Sequence, residues 1–489
     1  MKRILAVLLT GFFMVAAACA QTPNAPLPNA PLEKADLANI QMSNTMSSPS
    51  AEVSTGETSA TPSNDISLYT VVDLALRNSK AVRIAEADQQ RTRGAWKETQ
   101  NAYIPNFSIG SGLGYSYGFP IGNPTIVNVS STSLLFSFSQ HDYIRSARSA
   151  WRAATLSLKS TRQQVILDAS LKYIELDKTV EQIAALNEAL ADSDKLLNVM
   201  NDRMQAGLES NIQMTQARLT RAQIELRVIQ MEDRADELRQ HLSNLTGLNP
   251  GFINPATSSV PQLPDLDFPS LLREAAQPPA IQASDATADA RMYAARGDKN
   301  QNYRPTVGFA SQYSLFSTFN GYSSYYKNFQ QNNIAIGIQA VWPLFDPIRR
   351  DKALESKAAA VHARQQAQQD RIQNDESNFA LWHSMRELKA QEQVAELQQQ
   401  LAKDTLASMV TQMNIGPAGA NAAPTTPQQA DQDRIDERTS YVDLQDAQFN
   451  VTRVKLDLLN AIGGLEDWVK EPTQTAASSH TLDPHVFSH

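Results

Sequence analysis

Asp443 and Asp446 stand three residues apart in the run Tyr441-Val442-Asp443-Leu444-Gln445-Asp446-Ala447. On a helix that spacing puts both carboxylates on one face, where they either gather cations or form an ordinary solvated surface. Little else in the chain offers chemistry. One cysteine, Cys19, and seven histidines are poor material for a zinc site or a disulfide framework. His480, His485 and His489 fall in a polar, Ser/Thr-rich stretch, which predicts a flexible tail over 471-489 rather than a metal site. No nucleophile–base constellation, phosphate loop or zinc motif is visible, so the sequence predicts a protein that is not an enzyme, with no cofactor and no resident metal. The formal net charge of −8 gives no basic footprint for nucleic acid.

The elements that must carry the aspartates begin with an export signal. Lys2 and Arg3 precede an apolar run from Ile4 to Ala18, too short to span a bilayer comfortably, and small residues follow; this predicts a signal peptide over 1-20. Cys19 has two readings. After Ala16-Ala17-Ala18 it is a possible lipidation site, although a bulky aliphatic residue is usual where Ala16 stands; alternatively, cleavage within Ala18-Cys19-Ala20 discards it. Residues 21-64 are rich in Pro, Ser, Thr and Asn without a period, which predicts a disordered linker. Nothing else approaches the ~18–20 apolar residues of a membrane helix, so a place in a membrane would require a β-barrel.

The ordered chain reads as one unit written twice, over 65-268 and 269-470. Asp65 or Ser67 is the expected first cap, before a helix with Leu68, Val71, Val72, Ala75 and Leu76 on one face. Tyr103-Ile104-Pro105 and Tyr303-Arg304-Pro305 each follow a helical stretch and open a run of alternating residues. In the first, Phe107, Ile109, Leu113, Tyr115 and Tyr117 alternate with small residues; in the second, Val307, Phe309, Tyr313 and Leu315 do. Each run has a partner, one with Leu134, Phe136 and Phe138, the other with Ile334, Ile336, Ile338, Trp342 and Leu344. The connections, Phe119 to Ser130 and Ser317 to Asn332, read as hairpin loops. Four strands of about ten residues result, the length that crosses a bilayer at a tilt. A glycine-free stretch from Ser139 to Gln205 predicts a helix roughly 95 Å long. Asp346-Pro347 is the cap of its counterpart. After Gly207, the residues Ala217, Ile224, Val228, Met231, Ala235, Leu238, Leu242 and Leu245 step by heptads.

Four strands cannot close a membrane barrel, which needs at least about eight, and open edges are not tolerated in lipid. Three copies would supply twelve. The competing reading is a secreted periplasmic coiled-coil structural or interaction protein without a pore.

From Ile66 to Trp468 the order of motifs resembles the outer-membrane efflux protein (TolC) family. Trp342-Pro343-Leu344-Phe345-Asp346 is similar to its passage from membrane strand to periplasmic helix, and Gln205-Ala206-Gly207-Leu208 to its hairpin tip. Leu245-Thr246-Gly247 and Ala461-Ile462-Gly463-Gly464 resemble its returning-helix ends. The resemblance implies an α+β membrane protein: long antiparallel helical hairpins forming a periplasmic α-barrel, plus four transmembrane strands per subunit, completed as a trimeric 12-stranded β-barrel in the outer membrane. It implies docking tips at Gly207, Leu208 and Gly416 for a periplasmic adaptor (membrane fusion) protein and an inner-membrane RND or ABC transporter. It also implies a belt containing residues 248–269, and a periplasmic gate at Asp443 and Asp446. Gln213 and Gln216 stand at the matching places of the first repeat. Gly207 precedes Gln213 by six residues and Gly416 precedes Asp443 by 27, which predicts about twenty inserted residues and an extended tip over 416-429.

Overall fold

Ser67 opens the first helix of the computed structural model, which describes residues 65–112, 125–208, 210–256, 259–264, 277–316, 330–415 and 427–470. The expected signal peptide, Cys19, the linker 21-64, Gly416 and the tail 471-489 lie outside these residues. The Ser67 side chain accepts from Thr70 N, capping α1 (Leu68–Asn78) and leaving Leu68, Val71, Val72 and Ala75 buried on one face. Asp65 belongs instead to a two-residue strand β1 (Asp65–Ile66), parallel to β4 (Asn254–Pro255).

The remaining elements run α2 (Lys80–Asn101), β2 (Asn106–Ser111), β3 (Thr125–Ser137), α3 (Phe138–Gln205) and α4 (Asn211–Thr246) in the first half. The second half repeats them as α5 (Pro279–Tyr303), β5 (Thr306–Phe316), β6 (Asn332–Val341), α6 (Pro347–Ile415) and α7 (Pro427–Ala461). Two boundaries differ from the sequence reading. Phe138 is the first residue of α3, not a strand residue, because the Ser137 side chain caps the helix at Gln140 N. Strand β3 begins at Thr125, inside the expected loop, since Ile126, Val127 and Val129 extend its pairing. Asp346 behaves as expected: its Oδ1 accepts from Arg349 N at 3.1 Å. Gly247 and Gly463, both near φ +79°, terminate α4 and α7 in the left-handed region that glycine adopts without strain.

β2-β3-β5-β6 form one antiparallel sheet with β2 and β6 at its edges. Directly opposed residues share a face, so the register sorts the side chains. Phe107, Val129, Tyr313 and Ile334 fall on one side, together with Ile109, Val127, Leu315, Phe309, Ile336 and Ile338. Ser108, Ser130, Gln312 and Ala335 fall on the other, with Gly110, Asn128, Ser314 and Gly337. The first side carries the large apolar side chains of all four strands, with Ser131, Ser133, Ser311 and Asn332 set among them. On the edge strands it is bare: Phe107, Ile109, Ile334, Ile336 and Ile338 are each at least 69% exposed.

The helices form a similar layer. α3 packs on α4 and α7, and α7 on α6, giving the order α4-α3-α7-α6. Beneath the sheet α2 and α5 flank α3, and α5 packs on α6. The expected heptad seam of α4 is buried at Ala217, Ile224, Val228, Ala235, Leu238 and Leu242. A second α4 seam, Ile212, Leu219, Leu226 and Ile229, is exposed, as are Val394, Leu397 and Leu401 on α6. Both edges of the helical layer thus carry unpartnered apolar stripes.

The largest core lies where the helix ends meet: α1, the middle of α3, the end of α4, the end of α7 and the residues that follow it contribute Leu68, Val72, Leu176, Leu238, Leu242, Leu456 and Trp468. Tyr173 is fully buried there. Its hydroxyl donates to Ile66 O (2.7 Å), accepts from Ala256 N (2.8 Å) and meets Ser259 Oγ (2.8 Å). One hydroxyl therefore ties β1 and β4 to the helical layer. Tyr173→Phe leaves those buried backbone groups short of a partner, and is expected to cost about 1–3 kcal/mol, read as a lowered thermal midpoint.

Candidate functional site

α7 packs between α3 and α6, and its polar residues reach across to the first hairpin. Asp443 Oδ1 accepts from Arg227 Nη2 on α4 at 2.6 Å. Asp446 Oδ1 accepts from Lys178 Nζ at 2.7 Å and from Gln182 Nε2 at 2.8 Å, both on α3. Arg227 also stands 4.0 Å from Asp446 Oδ2, so one guanidinium serves both carboxylates. Gln182 is fully buried and donates to Val442 O as well (3.0 Å). Gln445 Nε2 donates to Glu181 (2.6 Å), and Arg438 pairs with Glu188 at 2.6 Å. Read along α3 as Lys178, Glu181, Gln182 and Glu188, the partners on α7 descend as Asp446, Gln445, Val442 and Arg438. This is an antiparallel ladder joining the two hairpins. Burial pushes the Glu181 carboxyl up, Asp177 adds to this, and the Gln445 bond opposes it.

A further charged cluster braces the first hairpin. Burial alone would raise the Glu175 carboxyl, but hydrogen bonds from Arg234 and Lys172 outweigh it and hold it below the ordinary carboxylate value.

The tip of the first hairpin is built by its glycine. Gly207 takes φ +74°, and Leu208 N donates back to Arg203 O at 2.9 Å, closing α3. Ser210 and Gln213 then form a reciprocal capping box that starts α4. Leu208 is left 67% exposed at the turn.

The register of the second hairpin differs from the sequence expectation. α7 begins at Pro427, so the connection from α6 spans eleven residues, 416–426, against five, 206–210, in the first hairpin. The difference is about six residues, not twenty, because the Pro427 helix start extends α7 upstream of the aspartates. Asp443 and Arg227 each lie sixteen residues after the first residue of their helices, Pro427 and Asn211. The first-repeat counterpart of Asp443 is therefore Arg227, its ion-pair partner, rather than Gln213. At 1.5 Å per residue both stand about 24 Å from the helix starts. Gln213 and Gln216 sit instead beside Gln428, Gln429 and Gln432 near the tip.

Nearer the tip the sequence reading missed a second acidic pair. Asp433 and Asp436 share a groove of about 330 Å³ with Gln398, Leu401, Ala402, Thr405 and Ser440. Burial and then the Asp436 charge push the Asp433 carboxyl up. The i, i+3 spacing was visible, but only the start of α7 at Pro427 puts it beside the turn. Among the described residues no cluster of three or more potential ligands could hold a metal ion, and no helix is long and apolar enough to cross a membrane.

Residues 71–248 match the family described as outer membrane efflux protein. No curated protein gives a significant match to the chain. Solved structures extend the likeness over both halves. The CmeC outer membrane channel of Campylobacter jejuni shares 17% identity over 95% of this chain and 99% of its own, with a TM-score of 0.67. The outer membrane protein VceC of Vibrio cholerae shares 18% over 81% and 96%, with a TM-score of 0.64. The open state of the MtrE outer membrane channel of Neisseria gonorrhoeae shares 16% over 85% and 98%, with a TM-score of 0.62. At these identities the efflux-channel fold is what is shared.

Proposed function

We propose that three copies of this chain close into an outer-membrane channel-tunnel that carries substrates, by efflux or type I secretion, from a periplasmic adaptor and inner-membrane pump to the exterior. The observation that carries it is the coincidence of open edges. The sheet ends in bare β2 and β6, and the helical layer ends in apolar stripes on α4 and α6. A layer whose two edges differ repeats head to tail, and makes a ring when the rotation between copies closes. Closure in lipid also satisfies every edge backbone group, which an open four-stranded sheet cannot do. The apolar sheet face then meets lipid, and the small, polar face lines the lumen. A periplasmic coiled-coil protein without a pore leaves that bare apolar face unexplained.

In this reading the exposed turn at Gly207 and Leu208, with the second tip around Gly416, docks the adaptor. Asp443 and Asp446 act in the periplasmic gate as ties between hairpins, held by Arg227 and Lys178, rather than as a ring of unpaired carboxylates. Asp433 and Asp436 are the acidic residues nearest the entrance.

Sedimentation in detergent tests the assembly. Leu219→Asp with Leu226→Asp puts two charges into the exposed α4 seam while sparing the buried one. The wild-type chain is expected as a trimer and the double variant as a monomer that keeps its helical circular dichroism. A double variant that remains fully trimeric would remove the α4–α6 contact from the proposal.

A further inference from the structure

Just below the sheet, α5 and α6 enclose a groove of about 970 Å³. Its lining is heavily cationic: Arg296, Lys299, Arg350, Lys357, Arg364 and Arg371 face Asp285 and Asp289. Arg371 is spoken for by Asp285 at 2.5 Å. Among the described residues the other five cations have no ion-pair partner; Arg296 rests 5.7 Å above the Tyr293 ring. Asp298, also close by, is engaged by Tyr143 (2.6 Å) and by Ser356. Arg304 and Arg349 point elsewhere, one onto the Phe138 ring at 4.5 Å, the other onto Asp346 at 3.0 Å. The groove therefore holds uncompensated positive charge.

Immediately above it, where β6 turns into α6, stands an apolar collar. In the single chain Trp342 is 64% exposed, Leu344 93% and Phe345 86%. Tyr303, at the end of α5, belongs to the groove lining. At 1.5 Å per residue, Lys299 and Arg350 lie about 6 Å from the helix–sheet junction and Arg296 about 10 Å. The headgroup layer of a bilayer is of similar depth, about 5–8 Å on each side. Arg364, by contrast, lies about 27 Å below the junction.

We infer that the membrane-proximal end of this groove binds the phosphate of an anionic phospholipid from the periplasm-facing leaflet, with its acyl chains on Trp342, Leu344 and Phe345. The inference rests on the channel reading, which sets the collar at the membrane surface. Lys299, Arg350 and Arg296 supply charge and multiple N–H donors to the phosphate, and guanidinium suits its oxygens bidentately. The aromatic collar anchors the glycerol level, as interfacial Trp and Tyr do elsewhere.

The test is native mass spectrometry of the detergent-solubilised trimer titrated separately with phosphatidylglycerol, phosphatidylethanolamine and inorganic phosphate. Retention of phosphatidylglycerol over phosphatidylethanolamine is expected. Each basic residue near an anionic headgroup is worth about fivefold, so Arg296→Gln/Lys299→Gln/Arg350→Gln should weaken retention about 100-fold, while Arg364→Gln leaves it unchanged. Equal retention of both lipids, an unaffected triple variant, or an equal loss in Arg364→Gln would each overturn the lipid site. Displacement of lipid selectivity by millimolar inorganic phosphate would make it a free-anion site and also overturn it. Planar-bilayer conductance of the triple variant separates the two readings. Conductance retained with lipid retention lost supports the lipid site, whereas a wild-type chain that forms no channel defeats the channel reading itself.

Discussion

Ile336→Arg is expected to abolish membrane assembly, whereas Gln339→Arg three residues away is expected to be tolerated. Ile336 lies mid-way along β6 and opposite Ser311, on the apolar side of the sheet. It is 72% exposed in the single chain. Gln339 pairs with Gly308 on the opposite side. An arginine facing lipid near the bilayer midplane costs about 2–4 kcal/mol, and a trimer pays it three times, which is comparable to the whole stability of a typical domain. On the proposed lumen face the Gln339 substitution meets water, and its main expected effect is on conductance. Heat-resistant trimer in outer-membrane fractions is the measurement. Trimer lost from both variants, or from neither, would contradict the assignment of the two faces.

The second large effect belongs to the ties between hairpins. Arg227→Asp removes the partner of Asp443 and sets three carboxylates side by side, since Arg227 also approaches Asp446. Both partners are partly exposed, so a single tie is worth only about 0.5–1 kcal/mol. Three symmetric copies acting on one closed state make about 1.5–3 kcal/mol, a shift of roughly 10- to 150-fold in the open-to-closed ratio. Raised open probability in planar bilayers is the expected result. Exchange of the charges, Arg227→Asp with Asp443→Arg, should restore most of the closed population. A variant with unchanged opening would place the gate nearer the tip, at Asp433 and Asp436.

Much of the architecture was legible because its signals are periodic. The alternation at Phe107 and Ile109 and at Ile334, Ile336 and Ile338, the heptads of α4, and the caps at Ser67 and Asp346 each report a local rule. Register between distant segments was not legible. Matching Asp443 to Gln213 required about twenty residues inserted after Gly416, and a helix that starts at Pro427 removes that need. The ion pair with Arg227 shows the true alignment, but a pair 216 residues apart in sequence leaves no spacing signature. The exposed α4 seam was missed for a related reason. Ile212, Leu219 and Leu226 obey the same heptad as the buried seam, and only the packing of α3 decides which stripe is covered.

The layer order α4-α3-α7-α6 has a genetic consequence in a ring. Each copy offers one α4 edge and one α6 edge, so a copy with one faulty edge breaks one of the three seams and leaves the ring open. If mutant and normal copies are made in equal amounts and mix freely, only about one ring in eight contains no mutant copy. Substitutions in the exposed seams that leave the other edge able to join should therefore be dominant in cells that also carry the normal gene. Substitutions that unfold the chain before it can join, such as those in the Tyr173 core, should be recessive.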